Sequence, residues 1–297
     1  MPDTLMTARQ LAARLEDPDL AVIDCRFDLA RPRWGSEAYA AARIPHSLYA
    51  HLDRDLSGPL SPSRGRHPLP EPSALAARLG LWGVDPQVQV VAYDQGPGAY
   101  AARLWWLLRW LGHARVAVLD GGMSAWQQEK LPLDTTPIAE SRAEARTARP
   151  ARHFESRPDE ARVVSTAEIE AMIASGQIAG AEVVLVDARS ADRFAGRNET
   201  IDPVAGHIPG ARNHPFTDNL NAGGRFLNRG ELRERFARTL GGVPPDEAVF
   251  MCGSGVTACH DLLAMEVAGL KGARLYAGSW SEWIRDPKRP IAHECVT

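Results

Sequence analysis

The chain of 297 residues is poor in cysteine: Cys25, Cys252, Cys259 and Cys295 are the only four, and no two form a CxxC pair. That spacing argues against a thiolate zinc site and against the regular framework of a secreted disulfide scaffold, and it fits a reducing cytoplasm. Long apolar runs are missing too. The most apolar stretch, YAARLWWLLRWLG from Tyr100 to Gly112, is broken by Arg103 and Arg109. It falls short of the ~20 residues a membrane span needs, so it reads as a buried amphipathic helix whose tryptophans belong to a core. Nor is there an excess of charge: 34 Lys and Arg against 37 Asp and Glu leave a net -3, which offers no attraction to nucleic acid or to an acidic membrane surface. The N-terminal MPDTLMTARQLAARLEDPDL carries acidic residues where a secretory signal needs an uninterrupted apolar region, and reads as mature sequence.

What the chain does have is internal repetition. LAVIDCRFD (Leu20 to Asp28) and VVLVDARSAD (Val183 to Asp192) are both β-branched runs ending in Asp-x-Arg. ARIPHSLYAHLD is followed, in the same order, by VQVVAYDQGPGAYAARL and LDGGMSAW, as GHIPGARNHPFTD is by EAVFMCGSGVTACHDLL and LYAGSWSEW. The offset drifts only from 163 residues between Asp24 and Asp187 to 157 between Trp126 and Trp283. Repetition on this scale means two like domains rather than a solenoid, whose periods are about 20–50 residues. In each copy short β-branched runs alternate with helical patterns, for instance a strand over 88–93, a helix over 99–111 and a strand over 116–119. This predicts an α/β fold with a mostly parallel sheet flanked by helices. The expected division is a first domain over 1–137, a linker over 138–160 that is poor in large apolar residues, and a second domain over 161–297.

The chemistry concentrates in MCGSGVTACH, Met251 to His260. A buried strand over 247–251 runs into a helix over 257–268 with apolar positions at Leu262, Leu263, Met265 and Val267 and a stop at Gly269. Cys252 to Val256 is therefore a strand-to-helix loop. Backbone N–H groups turned inward and the positive end of the helix stabilise an anionic sulfur there, and the thiolate is the nucleophilic form. Gly253 and Gly255 let the backbone curl around it. Other readings use the same letters. GSGVTA fits a dinucleotide fingerprint, but the next strand, ARLYAGS, lacks the acidic residue that should end it. A cysteine phosphatase would need Arg where Ala258 stands. A plain buried cysteine is the bland reading. In the first copy the position of Cys252 is held by Asp94, read as a turn and cap residue, so only one of the two loops is competent as a thiol nucleophile.

Together, the Asp-x-Arg strand ends, GHIPGA, the cysteine loop followed by GVTA and the closing GSWSEW resemble the tandem rhodanese family of sulfurtransferases over nearly the whole chain. The resemblance implies two tandem rhodanese-like domains, the second catalytic. The CGSGVT loop is similar to that of 3-mercaptopyruvate sulfurtransferases, whereas thiosulfate sulfurtransferases carry a basic loop of the CRKGVT kind. It further implies that Cys252 is the nucleophile and that Arg193 and Arg197 bind the donor. Gly253, Gly255, Val256 and Thr257 belong to the substrate-binding loop, and Ser254 is relayed through His67 to Asp53. Asp187 and Arg189 are expected to be a structural pair, and His207 a turn residue with a local hydrogen bond. The implied reaction uses no metal and no organic cofactor; its partners are a small-molecule sulfur donor and a thiol, thioredoxin or cyanide acceptor. Thiosulfate as donor, and a non-catalytic sulfur carrier or interaction module, are the alternatives. Cys259 is open to a redox role or to plain burial in the helix.

Overall fold

A computed structural model of the chain describes residues 4–138 and 150–293. Their contacts divide them into two compact units. The first comprises the chain up to Gly58 together with Leu69–Asp159 and Ala222–Phe226; the second comprises Pro59–Pro68, Glu160–Asn221 and the chain from Leu227 onward.

Unit one contains β1 (Leu5–Met6), α1 (Ala8–Ala12), β2 (Leu20–Asp24), α2 (Trp34–Ala41), β3 (Leu48–Tyr49), α3 (Leu52–Asp55), α4 (Pro72–Leu81), β4 (Gln89–Tyr93), α5 (Ala99–Trp110), β5 (Val116–Leu119) and α6 (Gly122–Gln128). Unit two repeats the pattern with β6 (Val163–Val164), α7 (Thr166–Ala174), β7 (Val184–Asp187), α8 (Ala191–Phe194), β8 (Arg212–Asn213), α9 (Arg229–Leu240), β9 (Ala248–Met251), α10 (Ala258–Ala268), β10 (Arg274–Tyr276) and α11 (Ser279–Trp283). The sheets run β1-β5-β4-β2-β3 and β6-β10-β9-β7-β8, the same order twice. Every pairing in both is parallel.

A parallel sheet covered on both faces needs strands that are apolar throughout, and β2, β4, β5, β7 and β9 are buried at every position. Each unit has its own core. Leu20, Val22, Val91, Tyr93, Leu119 and Trp126 anchor the first; Leu185, Val249, Met251, Tyr276, Trp280 and Trp283 anchor the second. The apolar stretch read as an amphipathic helix is α5, with Trp105, Trp106 and Trp110 all buried.

The repeated Asp-x-Arg motif ties strand end to loop in both units. Arg26 Nη2 donates to Asp24 Oδ2 at 2.7 Å and to the Ala42 carbonyl at 2.7 Å. Arg189 Nη2 donates to Asp187 Oδ2 at 2.7 Å and to the Gly206 carbonyl at 2.8 Å, and its guanidinium lies over the Trp280 ring. His207 makes the local bond expected of it, Nδ1 to the Phe194 carbonyl at 2.8 Å.

Of the stretch expected to be a linker, residues 139–149 lie outside the described residues. The part that follows lies along unit one: Arg152 N–H donates to Gly80 O, Arg157 N–H to Leu111 O and Asp159 N–H to Trp110 O, and Phe154 is buried. Pro59–Pro68, from the first half of the sequence, packs as part of unit two.

Both members of the Asp24–Arg26 pair are buried. Replacing Arg26 by Met strands the carboxylate without its cation, and is expected to destabilise the protein by about 3–5 kcal/mol. Urea denaturation checks this; a loss typical of an exposed pair, under about 1 kcal/mol, would contradict it.

Candidate active site

β9 is the central strand of its sheet, and ligands of parallel α/β sheets bind at the carboxyl ends of such strands. Cys252 is the first residue beyond that end and is 2% exposed. Its loop is fastened from the side by the start of α11. Cys252 O accepts from Trp280 N–H at 3.0 Å and Gly253 O from Ser281 N–H at 2.9 Å. Ser279 Oγ accepts from Cys252 N–H at 3.1 Å and donates to Tyr276 O at 2.9 Å. Ser279 holds φ 55°, a left-handed conformation uncommon outside glycine. Gly255 is glycine of necessity: its φ is +75°, and a Cβ would stand 2.5 Å from Ala277 O.

Unit one has the same fastening. Met123 N–H donates to Asp94 O and Ser124 N–H to Gln95 O, at 2.8 and 2.9 Å. Gly122, with φ +55°, takes the place of Ser279. The Asp94 carboxylate accepts from four loop amides, those of Gly96, Gly98, Tyr100 and Ala101, at 2.9 to 3.3 Å. This strand-to-helix loop thus cradles an anion. Burial pushes the Asp94 carboxyl up, and the four N–H bonds pull the other way.

Around Cys252 unit two assembles polar groups from distant parts of the sequence. His67 Nδ1 lies 2.7 Å from Ser254 Oγ, and both residues are buried. The segment bearing His67 is pinned by Gly65 N–H on Glu282 Oε2 at 3.0 Å and Arg66 N–H on Ser281 Oγ at 2.9 Å. Arg193 donates through Nε to both Glu199 oxygens at 3.0 Å and through Nη2 to Asp202 Oδ2 at 3.0 Å. Burial alone would push Glu199 up, but the Arg193 guanidinium and two backbone N–H groups hold its carboxyl below the usual range. A Cβ added at Gly253 would meet Arg66 Nη2 at 3.3 Å and Arg193 Nη2 at 3.5 Å, so two guanidinium groups approach the loop beside Cys252.

The structure therefore brings Cys252, Gly253, Ser254, His67 and Arg193 together, with Gly255, Val256 and Thr257 completing the loop into α10. Arg197 stands apart from them: half of its side chain is exposed, and it faces Asp192 at 3.6 Å. Asp53 belongs to unit one, where it is exposed at the start of α3 and its N–H donates to His51 Nδ1. Sequence reasoning missed Arg66, Ser279 and Asp202. For Ser279 a signal existed, its alignment with Gly122 in the first copy.

The remaining described cysteines are buried thiols. Burial pushes the Cys25 thiol up, and Cys259 Sγ contacts Gly255 O at 3.3 Å. α10 also takes Asp261 fully into the interior, where Oδ1 accepts from Asn219 Nδ2 at 2.7 Å and Oδ2 has no partner among the described residues.

A rhodanese-like domain model matches residues 7–129 and again 165–286. The chain is 50% identical to a "Probable 3-mercaptopyruvate sulfurtransferase" of Pseudomonas aeruginosa, over 97% of each chain. It is 35% identical to a "Putative thiosulfate sulfurtransferase SseB" of Mycobacterium tuberculosis, over 97% of this chain and 96% of that one. The solved structure of a 3-mercaptopyruvate sulfurtransferase from Leishmania major superposes with a TM-score of 0.81 at 31% identity, covering 95% of this chain and 75% of that one. Fold and site together define a duplicated α/β protein with a single cysteine loop. The chain belongs to the rhodanese-like family, in its tandem-domain form.

Burial pushes the Asp261 carboxyl well above its ordinary value, reinforced by the neighbouring Cys252 and opposed by the Asn219 bond. A carboxyl whose folded value is raised contributes stability fully below its unfolded value, about 3.9, and loses it as pH rises toward the folded value. Asp261→Asn keeps the bond from Asn219 and cannot ionise. It is expected to melt like the wild type near pH 4 and above it at pH 8; parallel melting curves across that window would refute the neutral carboxyl.

Proposed function

We propose that the protein is a sulfurtransferase that takes sulfur from 3-mercaptopyruvate onto Cys252 as a persulfide and passes it to a thiol, thioredoxin or cyanide. The observation that carries this reading is the loop at the end of β9: its counterpart in unit one holds the Asp94 carboxylate on four N–H groups, and in unit two the same position carries a thiol. The names of the Pseudomonas aeruginosa and Leishmania major relatives agree with it, and the non-catalytic alternative has no use for the Ser254–His67 contact beside the cysteine.

In the first half-reaction the Cys252 thiolate attacks the donor sulfur. A sulfur–sulfur bond forms, the donor's carbon–sulfur bond breaks, and its electron pair passes to carbon as the enolate of pyruvate, which takes up a proton. Ser254, hydrogen-bonded to His67, polarises the ketone or delivers that proton. Arg193 holds the donor carboxylate by charge-assisted hydrogen bonds. Arg197, the other arginine expected from sequence, is half exposed against Asp192 and takes no part in this step. In the second half-reaction the acceptor attacks the outer sulfur and restores the thiolate, so the kinetics are ping-pong. No metal or organic cofactor takes part. No helix of the described residues is long and apolar enough to cross a membrane, and the three described cysteines are free, as suits work in the cytoplasm.

Thiosulfate is the second reading, favoured by the name of the Mycobacterium tuberculosis relative. Comparing kcat/KM for the two donors decides between them; a clear preference for thiosulfate overturns the choice of donor. Cys252→Ser is expected to abolish turnover and the gain of one sulfur in protein mass after exposure to donor, and transfer surviving in that variant would refute the persulfide. Thiosulfate cleavage produces no enolate. Ser254→Ala should therefore lower kcat with 3-mercaptopyruvate by about 10²-fold and affect persulfide loading from thiosulfate far less; equal losses with both donors would remove Ser254 from proton delivery.

A further inference from the structure

Resting on the sulfur-transfer reading, we infer that Arg66 is a donor-binding residue, the second guanidinium that holds the substrate carboxylate beside Cys252, and that Asp202 sets the charge of that subsite. Arg66 immediately precedes His67, and its backbone N–H is fixed by Ser281 Oγ at 2.9 Å. Its Nη1 donates to Asp202 Oδ1 at 2.6 Å, while Arg193 Nη2 donates to Oδ2 of the same carboxylate at 3.0 Å. One buried aspartate thus bridges the two cations and fixes their separation. The side chains of Asp202 and Glu199 are 2% and 3% exposed, whereas those of Arg66 and Arg193 are 25% and 17% exposed. The carboxylates are covered and the guanidinium groups keep an open face.

With Nη1 committed to Asp202, Arg66 turns Nη2 toward Gly253, 3.3 Å from where a Cβ would stand. Arg66 Nε is buried and has no partner among the described residues. Arg193, with Nε on Glu199 and Nη2 on Asp202, has Nη1 at 3.7 Å from the same point. Even a Cβ at position 253 would be in tight contact with Arg66 Nη2, so both guanidinium groups lie directly against the loop, and their exposed faces are what a ligand beside Cys252 can reach. A loop of the CRKGVT kind carries its cations within itself; here position 253 is vacant and the cations come from Arg66 and Arg193.

The charge count of the cluster selects the donor class. Arg66 and Arg193 face Glu199 and Asp202, and the Arg189–Asp187 pair that joins through Glu199 adds one charge of each sign, so the subsite is formally neutral before substrate enters. It can hold a singly charged carboxylate through directed N–H groups, while a compact dianion finds no surplus of positive charge.

The test measures kcat/KM for 3-mercaptopyruvate and for thiosulfate, the KM for a thiol acceptor, and persulfide loading by intact-protein mass, in the wild type, Arg66→Met and Asp202→Asn. Arg66→Met is expected to lose about 10- to 100-fold in kcat/KM for 3-mercaptopyruvate, the loss of one charge-assisted hydrogen bond. That loss should fall mainly on the donor KM and leave the acceptor KM unchanged, a split that general damage to the fold would not produce. Asp202→Asn unmasks one positive charge and should move the donor ratio toward thiosulfate by about threefold or more, which tests the subsite even if Arg66→Met folds poorly. Arg66→Met with wild-type donor kinetics, an effect confined to the acceptor KM, or an unchanged donor ratio in Asp202→Asn would each overturn the assignment. Wild-type protein that forms no persulfide from either donor would instead sink the sulfur-transfer reading, and this one with it.

Discussion

The peptide bonds at Cys252 and Gly253 are held by hydrogen bonds from the first turn of α11, and the site depends on that clamp. Cys252 is fixed at both ends of its backbone, its N–H by Ser279 Oγ and its carbonyl by Trp280 N–H. The same short helix reaches the segment that brings in Arg66 and His67, through Ser281 Oγ and Glu282 Oε2. Trp280 in turn lies under the Arg189 guanidinium and donates through Nε1 to Val204 O at 2.9 Å. The GSWSEW motif is thus the common support of Cys252, His67 and Arg66, and the left-handed backbone at Ser279 is a local strain that lets its hydroxyl cap the cysteine N–H.

Duplication supplies an internal control for this view. Both units fasten their loops by the same two amide-to-carbonyl bonds, although the loops read DQGPG and CGSGV. Where the first unit places a carboxylate, four amides converge on it; on the proposed function, the second unit puts the same scaffold to use for a sulfur anion. In unit one the cradle is filled by its own side chain, with Asp94 only 1% exposed. In unit two the anion would be the thiolate itself, and afterwards the persulfide.

Much of the fold was legible in the sequence because parallel strands covered on both faces announce themselves as unbroken apolar runs. β5 falls where expected, and β4, β9, α5 and α10 differ by one residue at an end, within the usual uncertainty of a helix or strand boundary. The Asp-x-Arg ties could be read because each is local, spanning two residues. The site was harder for the opposite reason. His67 meets Ser254 across 187 residues and Arg66 meets Asp202 across 136, and no periodicity marks a loop that will join the other unit; His67 came only through the family resemblance. α10 misled in another way. The apolar positions read from it were Leu262, Leu263, Met265 and Val267, yet Val267 is only partly buried while His260 and Asp261 are fully enclosed, because the helix is covered on almost every side and a hydrophobic pattern gives no place to interior polar groups.

On the proposed function, the position of the cations explains how a loop so poor in side chains would serve an anionic donor. Charges carried by the loop itself would sit beside the sulfur throughout the cycle and favour any compact anion. Guanidinium groups brought in from α8 and from the segment before His67 are instead oriented by buried carboxylates, so that what they offer is direction more than net charge. A planar carboxylate can use two such forks at once. On that proposal the loop is left to hold the sulfur, and the donor is chosen at Arg66, Arg193 and Asp202, none of which bonds the Cys252 backbone that Ser279 and Trp280 clamp.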